Sequence, residues 1–166
     1  MKYVHLLLFV IIPSYTFAQN TAPTEAMQKI SFLTGDWKGT GWFKSGEKTD
    51  SFTFILDASY RDNNRELQID ITMEATETKS VFNTQITISY DSTEKKYKTV
   101  TNNGGADIQG LAELTDDHTL LNAITSSTGL QFKIAYSASK EYKIKGERSL
   151  DKGITWVHYM GALASK

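Results

Sequence analysis

Residues 66–75 of the chain read ELQIDITMEA, and every second side chain in this stretch is apolar. The apolar positions are Leu67, Ile69, Ile71, Met73 and Ala75, each separated from the next by a polar or charged residue. A period of two is typical of a β-strand with one face in the core and the other in water. The stretch therefore predicts a half-buried strand of an antiparallel sheet.

The same alternation recurs on both sides of this strand, around residues 52–60, 82–90 and 130–136. Short segments rich in Gly, Asn, Asp, Ser and Lys separate the alternating runs and divide the region into about ten strands. No connection is long enough to reach a distant strand, which favours a simple up-and-down order. Closure into a barrel would remove two exposed sheet edges. The predicted fold is all-β, a closed up-and-down antiparallel β-barrel of about ten strands, with an open sandwich as the alternative.

A short helix is predicted in front of the first strand. Thr24 is a suitable N-cap, and Glu25 places a negative charge in the first turn, where the helix dipole favours it. Met27, Ile30 and Leu33 then form one apolar stripe. We expect one short helix over residues 25–33 with a single apolar stripe.

The first 18 residues have the order of a secretory signal peptide. Lys2 gives a basic start, residues 6–12 are strongly apolar, and small residues at Thr16 and Ala18 suit a cleavage site. The apolar run is far shorter than the roughly 20 residues of a spanning helix. The resulting division is a signal peptide over 1–18, a flexible lead-in over 19–23 and a barrel domain over 24–166. The expected location is periplasmic or secreted.

Composition narrows the classes of partner. Without residues 1–18 the chain has 17 basic and 19 acidic side chains, so nothing suggests a nucleic-acid-binding surface. No second apolar segment is long enough for stable membrane insertion. The sequence has no cysteine, which excludes disulfides and thiolate metal sites. A chain of this length can bury a sufficient core without them.

The most specific motif opens the first strand. Residues 35–41 read GDWKGTG, a G-x-W-x-G-x-G pattern that follows the short helix. With later segments such as residues 89–91 (SYD) and 149–156 (SLDKGITW), this motif resembles the calycin group of lipocalins, fatty-acid-binding proteins and nitrobindins. It resembles most closely the bacterial lipocalin-like domains of unknown function. The likeness covers nearly the whole chain after residue 18 and supports the fold better than any function.

The resemblance implies structural roles for four residues of the chain. Trp37 would close one end of the barrel, with Gly39 and Gly41 allowing close packing beside it. In lipocalin-like barrels this tryptophan often stacks on an arginine from a late strand, and Arg148 matches that arginine. Arg148 would therefore be a structural partner of Trp37 or, alternatively, would meet the carboxylate of a ligand.

The inward phase of the strands predicts a binding pocket. An apolar interior with a few polar groups is the usual composition of a small-molecule site. The candidate ligand-binding residues are Tyr60, Tyr90, Tyr136, Arg148, Trp156 and His158. The predicted partner is a small hydrophobic or amphiphilic molecule, and the sequence does not indicate an oligomeric state.

Two alternatives to this function remain open. Nitrobindin-like barrels bind haem through a histidine near the chain end, and His158 shares its predicted strand face with Trp156 and Met160. The other alternative is a solid barrel that binds another protein through its surface. No catalytic constellation is present, since the predicted inward histidine has no identifiable nucleophile beside it. His118 lies in a predicted turn, and no metal or cofactor other than haem is expected.

The cleavage site gives a direct prediction. The exported protein should begin at Gln19, because Thr16 and Ala18 occupy the −3 and −1 positions of the best site. Intact-mass measurement of material from the cell envelope or the medium checks this, allowing for pyroglutamate at Gln19. A species that retains Lys2 would contradict the export assignment.

Overall fold

Ten antiparallel strands close on themselves in a computed structural model that describes residues 24–105 and 107–166. The predicted signal peptide and the lead-in over 19–23 lie outside the described residues. The strands are β1 Gly35–Ser45, β2 Lys48–Arg61, β3 Glu66–Ala75, β4 Val81–Asp91, β5 Lys96–Asn102, β6 Ile108–Asp116, β7 Thr119–Thr125, β8 Gln131–Ala138, β9 Tyr142–Ser149 and β10 Val157–Ser165.

Each strand pairs with its neighbours in sequence, and β1 pairs with β10 to complete the barrel. The closed up-and-down barrel predicted from the alternation is confirmed. Apolar positions of the alternating runs face inward, as Leu67 and Ile69 of β3 do, while the residues between them face solvent. None of the helices in the described part of the chain is long and apolar enough to cross a bilayer.

The N-terminal helix is shorter than predicted. It runs as α1 over Glu25–Gln28 and is followed by a 3-10 turn over Ser31–Leu33. Thr24 caps α1 as expected, accepting a hydrogen bond from the backbone N–H of Met27 at 3.4 Å. The apolar stripe has a spacing of three, which suits a 3-10 turn better than an α-helix. All three residues of the stripe, Met27, Ile30 and Leu33, are fully buried.

This helical segment covers one end of the barrel, named here the closed end, where the β2–β3, β4–β5, β6–β7 and β8–β9 connections lie. Two tyrosines anchor it by donating hydrogen bonds to its backbone. Tyr60 Oη donates to the carbonyl of Met27, and Tyr97 Oη to that of Ala26, both at 2.6 Å. Below the segment the interior is filled by large side chains, including Trp37, Leu56, Leu120 and Tyr142. The opposite end, the open end, has no such cover among the described residues.

The seam between β1 and β10 depends on Gly39. Gly39 lies opposite Ala164, and a Cβ placed on it would be 2.0 Å from the carbonyl oxygen of Leu163. A Cβ on Gly41 would lie 2.4 Å from the Phe52 ring, which crosses the inner face of that glycine. The two glycines therefore allow β10 and Phe52 to approach β1 more closely than any other residue would permit.

We expect Gly39→Ala to destabilise the barrel by about 1–3 kcal/mol or more, because its methyl group would overlap backbone atoms of β10. Gly105→Ala is the matched control, since a Cβ there would have no atom within 4 Å. Urea unfolding followed by circular dichroism measures both changes. Equal midpoints for the two variants would contradict the assignment of Gly39 to a close strand contact.

Candidate functional site

A cavity of about 320 Å³ occupies the open half of the barrel. Its walls are mainly aromatic and aliphatic, from Phe52, Phe54, Ile71, Met73, Ile86, Ile108, Ile124, Phe132, Ile134, Tyr136, Ile144, Tyr159, Met160 and Ala162. Phe52, Met73 and Tyr159 also line a wider depression at the rim. The cavity is therefore continuous with solvent at the open end.

Polar groups reach the cavity mainly from β4, β5 and the connection after β5. They belong to Thr84, Thr101 and Asn103, and Ser126 adds a further hydroxyl from the β7–β8 turn. Ile86 lies opposite Thr101, and Gln85 lies opposite Asn102, so continuing that register brings Thr84 beside Asn103. We call Thr84, Thr101 and Asn103 the polar wall. In a ten-stranded barrel β4 and β5 lie across from β9 and β10, so this wall faces Tyr159 and Met160.

Charged side chains are absent from the lining. None of the described residues around the cavity is Asp, Glu, Lys, Arg or His. No group of three or more acidic or histidine side chains in the described part of the chain could hold a metal ion. The cavity thus presents apolar surface and neutral hydrogen-bonding groups.

A buried polar pair lies below the cavity, two residues along β5 and β7 from the lining residues Thr101 and Ile124. Thr99 donates a hydrogen bond to the amide oxygen of Asn122 at 2.9 Å, and both residues are almost completely buried. Gly110 makes room for this pair, because a Cβ there would lie 2.6 Å from both side-chain oxygens. The Nδ2 group of Asn122 has no hydrogen-bond partner among the described residues. Tyr136 lies beside this pair, and burial, followed by the nearby Tyr159 phenol, raises the pKa of its own phenol.

Of the six candidate ligand-binding residues, the structure places Tyr136 in the cavity wall. Tyr60 faces inward at the closed end, where it holds α1. Tyr90 packs edge-on against Tyr97 at 5.2 Å, also at the closed end. The pKa of Tyr97 is raised to about 12, mainly by burial and to a smaller extent by the nearby phenols of Tyr90 and Tyr60. Tyr60 and Tyr90 therefore belong to the covered end and are separate from the cavity.

The orientation predicted for His158 is wrong. The pairing of β10 with β9 shifts by one residue between His158 and Met160, so β10 contains a bulge at Tyr159. A one-residue insertion reverses which face the preceding side chains occupy. Tyr159 and Met160 both line the cavity, whereas His158 lies outside, 5.7 Å from the Trp42 ring and 3.7 Å from a carboxylate oxygen of Glu147.

Gly146 accommodates this bulge on the neighbouring strand. A Cβ at Gly146 would lie 2.9 Å from the Tyr159 ring and 3.1 Å from Met160 Cβ. Tyr159 packs edge-on against Phe132 at 5.7 Å. Burial raises the pKa of the Tyr159 phenol, and the nearby Arg148 opposes that shift. Alternation along β10 predicts that Tyr159 faces outward, so the sequence did not identify it as a lining residue.

The resemblance implied that Arg148 stacks on Trp37, but the structure keeps the two side chains apart. Trp37 contacts Tyr142 at 5.4 Å, and Arg148 lies six residues further along β9, about 20 Å away. The cation over the Trp37 ring is the ammonium of Lys166, 4.7 Å from its centroid. Arg148 instead stands at the rim opposite Phe132, outside the set of residues that line the cavity.

Trp156 also lies outside the cavity lining. Its indole N–H donates to the carbonyl of Gly153 at 3.1 Å, and Lys133 Nζ lies 4.0 Å from its ring centroid. It therefore belongs to the β9–β10 connection at the rim. Six exposed apolar residues stand around this open end: Val81, Phe82, Ile108, Leu150, Ile154 and Val157.

The β9–β10 connection is held by one carboxylate. Asp151 accepts hydrogen bonds from the backbone N–H and the hydroxyl of Thr155 and from the hydroxyl of Ser149. Ser149 Oγ in turn accepts from the backbone N–H of Gly153 at 2.7 Å. These bonds, led by those from Thr155, lower the pKa of Asp151 to about 2. The loop that bears Leu150 and Ile154 is thus fixed by local hydrogen bonding.

Comparison with known proteins supports the fold alone. No protein-family model matches the sequence, and no curated protein matches it. The crystal structure of Rv2717c from M. tuberculosis superposes with a TM-score of 0.61 at 11% sequence identity, covering 87% of this chain and 99% of that one. A de novo designed fluorescence-activating β-barrel has a TM-score of 0.43 at 13% identity, covering 81% of this chain and 94% of the designed one.

Because hydrogen bonds lower the pKa of Asp151, the free energy of unfolding should depend on pH in the acid range. The folded-state pKa of about 2 lies below the ordinary value of 3.8, so the contribution of Asp151 is present above pH 3.8 and is lost as the pH falls through 2. We expect Asp151→Asn to lower the urea midpoint at pH 7, and this difference should shrink towards pH 2. Asp117→Asn, at an exposed turn position, should change the midpoint little at any pH. A constant difference for Asp151→Asn down to pH 2 would contradict the role of its charge.

Proposed function

We propose that the protein is an exported binding protein that holds a small hydrophobic or amphiphilic molecule in the open half of its barrel. The observation that carries this proposal is the cavity of about 320 Å³ with mainly apolar walls and a few neutral polar groups. Its volume falls within the range of about 300–1,000 Å³ for small-molecule sites. The lipocalin-like character of the sequence motifs supports the same function, and the export signal over 1–18 supports the location.

Packing at the two ends argues that the cavity is a site. Protein interiors usually leave few voids larger than a water molecule. The closed half follows this rule, with Trp37, Leu56 and Tyr142 fully buried. The open half leaves its aromatic and aliphatic walls unfilled although it contains large side chains such as Phe52 and Phe132. An unfilled apolar space that opens to solvent is suited to a ligand.

The two alternatives have less support. The haem alternative relied on an inward His158, but His158 lies on the outer face beside Trp42. The other described histidine, His118, lies in the β6–β7 turn, 6.0 Å from the Phe32 ring. The described residues around the cavity therefore include no histidine that could ligate haem. A solid barrel that acts only through its surface does not account for the cavity.

Binding of the neutral dye N-phenyl-1-naphthylamine tests the proposal. We expect saturable fluorescence enhancement with the folded protein. Thr84→Phe should weaken dye binding at least tenfold, because the new ring would enter the cavity from the polar wall. Thr87→Phe is the matched control, since Thr87 lies on the outer face of β4 between the inward residues Ile86 and Ile88, and it should leave affinity within about twofold.

Two results would contradict a binding function. The first is absence of saturable dye binding by protein whose circular dichroism shows the folded barrel. The second is an equal loss of affinity in Thr84→Phe and Thr87→Phe. Because Thr84→Phe also adds bulk near the core, its urea midpoint should be measured alongside to establish that it remains folded.

A further inference from the structure

We propose that the ligand of this cavity is an uncharged, ring-bearing molecule with a hydrogen-bonding group at one edge, of the kind represented by an aromatic alcohol. This inference rests on the proposed binding function and narrows it to a chemical class. It excludes fatty acids and other organic anions as preferred ligands. The three supporting observations are the absence of charge among the described lining residues, the aromatic walls and the one-sided polar wall.

The charge argument comes from desolvation. A carboxylate that leaves water for an apolar cavity loses its hydration, and a paired cation is the usual compensation for that loss. No Lys, Arg or His is among the described residues that line the cavity. The hydroxyls of Thr84 and Thr101 can hydrogen-bond a neutral group, but they cannot neutralise a charge. A neutral ligand is therefore favoured.

Aromatic side chains shape the rest of the cavity. Phe132 and Tyr159 pack edge-on at 5.7 Å, and Phe52 and Phe54 lie 6.1 Å apart at a tilt of 59°. Tilted and edge-on aromatic rings can extend the same geometry to a further ring placed between them. Flat ligand rings thus gain more from these walls than a flexible alkyl chain does, since the chain must also lose rotational freedom on binding.

The polar wall defines which edge of the ligand is polar. Neither hydroxyl of Thr84 and Thr101 is hydrogen-bonded to another described side chain, and both belong to the lining across from Tyr159 and Met160. Asn103 adds an amide at the mouth end of the same wall. A ligand whose rings lie against Tyr159 would therefore present its opposite edge to two hydroxyls and an amide.

Lys44 lines the depression at the rim, and Arg148 is a further cation there that could oppose this conclusion. Arg148 stands at the rim, on the inward phase of β9, close enough to Tyr159 to influence its phenol. It lies outside the cavity lining. Solvent at the rim weakens any ion pair that Arg148 forms there. The test includes a variant of Arg148, so that anion binding through this residue becomes a measurable outcome.

Three ligands of nearly the same shape separate the chemical classes. 2-Naphthol, 2-methylnaphthalene and 2-naphthoate are titrated at pH 7 as competitors of N-phenyl-1-naphthylamine. We expect 2-naphthol to bind about two- to tenfold more tightly than 2-methylnaphthalene, the range of one net hydrogen bond. We expect 2-naphthoate to bind at least tenfold more weakly than 2-naphthol.

A variant pair tests the polar wall. The double variant Thr84→Val with Thr101→Val should reduce the advantage of 2-naphthol over 2-methylnaphthalene to about one, while 2-methylnaphthalene keeps its affinity and thereby reports an intact fold. Thr87→Val is the control, because Thr87 lies on the outer face of β4 between the inward residues Ile86 and Ile88. This control should preserve the advantage of 2-naphthol.

The outcomes distinguish this inference from the binding function. If the dye itself fails to bind, the proposed function fails and the inference fails with it. If the dye binds but 2-naphthoate competes as well as 2-naphthol, binding stands and the neutral-ligand inference is overturned; loss of naphthoate binding in Arg148→Gln would then identify the anion's partner. If the double variant leaves the advantage of 2-naphthol unchanged, the hydroxyls of Thr84 and Thr101 have no part in recognition and the inference is again overturned.

Discussion

The close approach of β1 and β10 at Gly39 is the contact on which the barrel depends. Without that pairing the ten strands would form an open sheet with two unpaired edges, and the helical segment would have no closed end to cover. The space for a methyl group at Gly39 is taken by backbone atoms of Leu163 and Ala164. The same seam brings Lys166 over the Trp37 ring, so the covering of the core at this end follows from the strand contact.

The filled core and the cavity are divided between the two halves of the barrel. The closed half holds the fully buried aromatic and aliphatic side chains and the two tyrosine bonds to the N-terminal segment. The open half contains the cavity, the bulge at Tyr159 and the polar wall. Below the cavity, the pair of Thr99 and Asn122 separates the two regions. The cavity and the bulge thus lie in the half that opens to solvent, whereas the closed half is filled by large side chains.

Strand number, order and the inward phase of most strands could be predicted, because alternation reports directly on which side chains are buried. The position of Thr84, on the inward phase of Ile86 and Ile88, was a signal for the polar wall, since it places a hydroxyl where an apolar side chain is expected. The bulge was not predictable, because β10 continues its alternation through His158 without a proline or glycine at Tyr159. The partner of Trp37 also escaped prediction, since Lys166 reaches it only through the barrel closure.

The pairing of the first strand with the last has a consequence for the order of folding. Within the described residues, nine of the ten strand pairs join neighbours in the chain, so they form as hairpins with short loops. The tenth must wait until β10 exists and has been brought back to β1, which makes it the contact of greatest sequence separation and the slowest to form. Until then both edge strands are open to pairing with other chains. A protein of this design is most vulnerable to aggregation in the interval before its final strand arrives.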